Sequence, residues 1–129
     1  MKQLSIFLTF FVVLTLYSFT NFDVFDDIAL AIKSANSKEV ARYFSPRVEL
    51  KINDKENIYS KSQAEIILKD FFIKNPPLNF TIRHKGASAK GLPYIIGDLK
   101  TSNGNYRTYF LFKEVNNKLY IQELQFDKE

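Results

Sequence analysis

At 129 residues with no cysteine, the chain is too short for two ordinary domains. It also excludes a disulfide staple, a thiolate metal site and the lipid-modified cysteine of a bacterial lipoprotein. The 18 Lys and Arg against 14 Asp and Glu give a formal net charge of +4, but Lys33, Lys51, Lys69 and Lys100 form no stripe, so the basic footprint needed by a nucleic-acid binder is missing.

Lys2 is the first charge, and no other occurs until Asp23. The intervening residues 4–19 are almost unbroken apolar sequence, and Ser18 and Thr20 stand at the −3 and −1 positions of a cleavage after residue 20. This predicts a signal peptide over residues 1–20 and a single exported domain over residues 21–129, periplasmic or extracellular, with no membrane span after cleavage. The alternative is an uncleaved anchor, because the apolar run is only slightly short of the roughly 20 residues that cross a bilayer.

Phe25, Ile28, Ala29, Ile32 and Ala35 recur at helical spacing behind Asp23, a candidate N-cap, and predict a helix over residues 23–35. Asn36 or Ser37 can start a second, short helix over residues 38–44, with Glu39 completing a capping box on Asn36 and Pro46 ending it. Val48, Leu50 and Ile52 alternate with polar residues, then turn at residues 53–56 and return through Ile58 and Tyr59 as a hairpin. Ser60 with Gln63, or Ser62 with Glu65, opens a third helix whose stripe is Ala64, Ile67, Leu68, Phe71 and Phe72, stopped by Pro76 and Pro77.

From Leu78 the period changes to two. Residues 80–85, 94–100, 106–115 and 119–126 form a four-strand antiparallel meander, with Gly and Asn in its connections. The apolar phase shifts between Leu119, Ile121 and Leu124, Phe126, which predicts a bulge near Gln122 and a strongly bent sheet. Bulky residues on both faces of 106–115 make it a central strand. The expected class is α+β, three N-terminal helices packed on a bent antiparallel sheet.

The order helix, helix, hairpin, helix, meander resembles the cone-shaped nuclear-transport-factor-2-like fold, also called cystatin-like. More narrowly, the chain is similar to a family of small exported bacterial proteins described as domain of unknown function 4783. The residues that carry the likeness are Phe71-Phe72-Ile73-Lys74-Asn75-Pro76-Pro77 with Phe80, His84-Lys85-Gly86, Tyr94-Ile95-Ile96-Gly97-Asp98 and Asn105-Tyr106-Arg107. The resemblance implies a sheet wrapped around a helix with a pocket in the cone. It implies no activity, because the superfamily holds isomerases, dehydratases, cyclases and non-catalytic modules alike.

Alternation puts His84, the single histidine, on the face of Phe80 and Ile82, where it is either a base or ligand anchor, or a hydrogen-bonded rim residue. Asp98 shares a face with Tyr94 and Ile96; it is either a partly desolvated proton carrier or the partner of Arg107 on the next strand. Arg107 beside Tyr109 offers a guanidinium to a carboxylate or phosphate, or serves as surface covering. Tyr59, Tyr94, Tyr106, Tyr109 and Tyr120 have the apolar body and polar tip common in pocket walls, and equally common in cores.

No phosphate loop, two-histidine metal spacing or nucleophile elbow occurs, so no metal and no cofactor is expected. The sequence therefore points to a non-enzymatic module that binds a small apolar, amphipathic or acidic ligand, or a protein partner. Its candidate ligand residues are Tyr59, His84, Tyr94, Arg107 and Tyr109. The alternative is a small isomerase or cyclase with His84 and Asp98 moving protons and Tyr94 or Tyr59 as oxyanion donor. Large residues on both faces of the last three strands also predict a homodimer through the sheet.

Overall fold

A computed structural model describes residues 23–129, and the expected signal peptide lies outside them. Helix α1, Val24–Lys33, starts where Asp23 accepts the Phe25 N–H at 3.1 Å and carries Asp26 and Asp27 in its first turn, where the helix dipole favours them. It stops short of Ala35, which takes a left-handed φ of 57°. Helix α2, Ser37–Ala41, is capped by Asn36, which accepts the Glu39 N–H at 3.0 Å. The Glu39 side chain turns instead to Arg42 at 2.8 Å, so only half of the expected capping box forms.

The second helix ends earlier than expected, because Phe44 already belongs to strand β1, Phe44–Ile52. Phe44 is the register partner of Ile121 on the last strand, and that long-range pairing overrides its helical spacing from Val40 and Ala41. Strand β2, Lys55–Ser60, completes the hairpin. Ser60 then caps helix α3, Lys61–Lys74, through both bonds of a capping box with Gln63. The meander follows as β3, Pro77–Ala87; β4, Pro93–Thr101; β5, Gly104–Val115; and β6, Lys118–Lys128.

These strands form one curved six-stranded sheet in the order β2-β1-β6-β5-β4-β3, with β5 in its interior as expected. It is not wholly antiparallel. The β1 and β6 pair runs parallel, which lets the hairpin extend the sheet beside the last strand. The fold is α+β. No helix among the described residues is long and apolar enough to cross a membrane.

One face of the sheet carries the helices. Val48, Leu50, Ile95, Leu99, Phe110, Phe112, Leu124 and Phe126 are buried there against Ile28, Ile32, Leu68, Phe71 and Phe72. Phe71 stands 4.5 Å from the Phe126 ring and 5.1 Å from Tyr106, whose hydroxyl donates to Asn75 Oδ1 at 3.0 Å. Gly97 makes room for Phe80, since a Cβ on it would sit 2.4 Å from that ring. These phenylalanines fill the interior that a cone would otherwise leave open.

Two bulges decide what points outward. At Gln122, β6 holds one residue more than β5, since Glu123 pairs Leu111 while Ile121 pairs Phe112, and Ile121 and Leu124 both reach the core as the phase shift foretold. At Arg83, β3 holds one residue more than β4, since Ile82 pairs Gly97 while His84 pairs Ile96. Every side chain beyond Arg83 therefore changes face.

Candidate functional site

The bulge at Arg83 corrects the expected placement of His84. It does not share the face of Phe80 and Ile82, but lies on the outer face with Tyr94, Ile96 and Asp98. Lys85 consequently turns toward the helices, where its Nζ is 3.0 Å from Asp23 and 5.4 Å from the centre of the Phe25 ring. This pairing lowers the Asp23 carboxyl below the ordinary aspartate value.

Tyr94 reaches His84 because Gly86 lies opposite it. A Cβ on Gly86 would meet the Tyr94 ring at 2.7 Å, so the glycine lets the ring lie across β3. The Tyr94 hydroxyl and His84 Nε2 are then 3.1 Å apart, and Tyr94 is 5.9 Å from Tyr109 between ring centres. Partial burial, then the charge of Glu123 and the neighbouring Tyr94, push the Tyr109 hydroxyl above the ordinary tyrosine value.

Asp98 does not pair with Arg107, although the two are register partners. Arg83 takes it, and Asp127, the partner of Arg107 on β6, is taken by Lys51 at 3.1 Å. Arg107 is left exposed and without an ion pair among the described residues. His84, Tyr94, Arg107 and Tyr109 thus share the outer face, whereas Tyr59 lies on the other side of the sheet beside Val48, its register partner.

There Tyr59 helps line a cavity of about 270 Å³ between the β1–β2 hairpin and α3. Leu50, Ile52, Ile67 and Phe71 form its apolar wall, and Lys55, Asp70, Lys74 and Asn75 its polar border. Lys74 pairs with Asp70 at 2.9 Å; Lys55 has no ion pair among the described residues. A larger depression of about 790 Å³, bordered by Phe25, Tyr43, Glu114 and Lys118, is a broad cleft with charged residues along it.

Sequence reasoning missed a third group. Glu49 of β1, Glu56 of β2 and Glu123 of β6 bring carboxylate oxygens within 4.8 Å of one another on the outer face. Oxygens of this kind are what hard cations take as ligands. Hydrogen bonding to Glu56, partial burial and the charge of Glu123 raise the Glu49 carboxyl above the ordinary glutamate value. Gln125 donates its amide to Glu123. No sequence motif marks the trio, because it is assembled from three strands.

A family model described as Domain of unknown function (DUF4783) matches residues 25–127. The chain belongs to the DUF4783 family. A DUF4783 protein from Bacteroides uniformis is 32% identical and superposes with a TM-score of 0.77 over 83% of this chain and 98% of its own. That crystallised relative therefore consists almost entirely of the domain described above.

Two more distant likenesses concern fold alone. A domain of unknown function with a cystatin-like fold from Nostoc punctiforme has 8% identity and a TM-score of 0.63 over 81% of this chain and 72% of its own. A protein named Rd1NTF2_05, carrying five substitutions, has 14% identity and a TM-score of 0.61 over 78% and 90%. No curated protein matches the chain. The DUF4783 membership and the nuclear-transport-factor-2-like fold inferred from sequence both stand.

Proposed function

We propose that this DUF4783 domain is an exported, non-enzymatic binding module that takes a small amphipathic acid between the β1–β2 hairpin and α3. The carrying observation is the cavity of about 270 Å³, whose apolar wall is built from Leu50, Ile52, Ile67 and Phe71 and whose border holds Tyr59, Lys55 and Lys74. Apolar walls with a few polar points are how proteins fix small ligands, and this volume lies just below the roughly 300 Å³ at which drug-sized sites begin. A medium-chain carboxylic acid suits it, with its chain against the aliphatic wall and its carboxylate toward Lys55. Export rests on the apolar segment of residues 4–19 ahead of the domain.

The isomerase reading is less well supported. Proton transfer in such enzymes needs a group facing a water-poor cavity. His84 is exposed on the outer face, and Asp98 on that face is held by Arg83.

Thermal melts with octanoate test the binding reading. Octanoate is expected to raise the melting temperature of the wild-type domain, and Lys55→Glu to remove that rise without lowering the melting temperature of the free protein. No rise at millimolar octanoate, with decanoate and an uncharged alcohol equally silent, would defeat it.

A further inference from the structure

Strand β1 leaves its ladder with β6 just after it begins. Phe44 pairs Ile121 and Glu49 pairs Glu123, so β1 takes five steps where β6 takes two. Ser45, Pro46 and Arg47 have no partner on β6, and Pro46 lacks the N–H that a ladder would use. Ser45 is 1% exposed, yet its hydroxyl has no hydrogen-bond partner, which is rare for a buried polar group. The break thus leaves bonding capacity unused.

Beside it lies a notch of about 350 Å³, lined by Phe44 and Pro46 of β1, Lys61 of α3, Lys113 and Val115 of β5, and Tyr120 of β6. No carboxylate lines it, and neither lysine has an ion pair among the described residues. Lys61 Nζ reaches only the Arg42 backbone carbonyl, at 3.4 Å. Two unpaired ammonium groups on one apolar notch favour an occupant of opposite charge. The notch shares no residue with the cavity of Tyr59 and Lys55, where Lys55 is the one lining cation without an ion pair among the described residues. A single unpaired cation suits a carboxylate, and two suit a doubly charged head group.

We propose that this notch is a second ligand site and takes a phosphate monoester with an apolar body. Lys61 and Lys113 supply the charge, as lysines do for phosphate elsewhere, and Tyr120 brings a hydroxyl donor. Phe44, Pro46 and Val115 receive the apolar part. The volume falls within the roughly 300–1,000 Å³ of small-molecule sites, so the occupant is a soluble ester. The proposal stands apart from the octanoate reading, whose failure would leave it intact.

Titrating phenyl phosphate into isotope-labelled residues 21–129, the unit that accounts for 98% of the crystallised relative, tests it through backbone amide resonances. At pH 8, above the second phosphate pKa of about 6, shifts are expected to saturate and to concentrate at Phe44, Lys61, Lys113, Val115 and Tyr120. Affinity is expected to fall as salt rises. Lys61→Met and Lys113→Met, checked for folding by circular dichroism, should each weaken binding about tenfold or more, while Lys113→Arg retains it. Lys55→Glu should leave it unchanged.

Absence of saturating shifts at millimolar phenyl phosphate would overturn the proposal. So would benzoate or inorganic phosphate binding as tightly, a comparison that needs only the wild type. Full affinity in both Met variants would also defeat it, as would loss in Lys55→Glu, which would place the ester in the first cavity. Binding to phosphatidic acid vesicles by a domain indifferent to phenyl phosphate would give the notch to a lipid surface and overturn it as well.

Discussion

Arg83, one strand before Asp98, holds that carboxylate with its Nε at 2.5 Å, while Arg107, directly opposite Asp98 on β5, does not. The bulge that gives β3 its extra residue delivers the guanidinium to the outer face. The pair is open to water, with 62% of the Arg83 side chain exposed, so solvent screens most of its attraction. Arg83→Ala is expected to cost only about 0.2–1 kcal/mol in urea melts. Arg107→Ala should fall within about 0.5 kcal/mol of wild type. A larger loss at Arg107 than at Arg83 would mean that the ion pair is assigned to the wrong arginine.

Phe71 is the anchor of α3. It is 4% exposed and lies against Phe126, Tyr106 and Phe72. Phe71→Ala is expected to cost about 3–5 kcal/mol, the range for removing a buried aromatic ring. His84→Ala, on the exposed side of the sheet, should cost less than about 1 kcal/mol. Denaturant melts compare the two, and a reversed order would contradict the placement of both residues.

Glu49 predicts a pH dependence of definite sign. Its folded-state value is raised above the ordinary 4.5, so the folded chain holds this proton more tightly than the unfolded chain does. Its contribution therefore favours folding on the acid side, and is lost as pH rises from about 4.5 through the folded value. Glu49→Gln is expected to raise the melting temperature at pH 7, with the gain shrinking as pH falls toward 4.5. A gain that stays constant between those conditions would show that crowding of carboxylates is not its cause.

How much of this could be read from sequence depended on whether an apolar residue reported the local geometry. The three helices were legible because Asp23, Asn36 and Ser60 cap them and buried residues repeat at helical spacing. The bulge at Gln122 was legible because Ile121 and Leu124 are both apolar and both need the core. The bulge at Arg83 was not, because Arg83, His84 and Lys85 are all polar and carry no phase for a register shift to disturb. The early start of β1 was hidden by the helical spacing of Val40, Ala41 and Phe44, and only the distant pairing with β6 resolves it.

The site followed the same rule. Tyr59 was singled out for its chemical type and lines a cavity. Its partners Ile67, Phe71 and Lys74 come from a helix whose docking on the hairpin is a tertiary fact. The trio Glu49, Glu56 and Glu123 needs the register of three strands at once.

Titrating isotope-labelled domain with octanoate while following backbone amide resonances tests the binding reading most directly. Shifts are expected to concentrate at Leu50, Ile52, Lys55, Tyr59, Ile67 and Lys74, to saturate, and to vanish in Lys55→Glu. Saturating shifts confined to His84, Tyr94 and Tyr109 on the outer face, or none at millimolar octanoate, would contradict it.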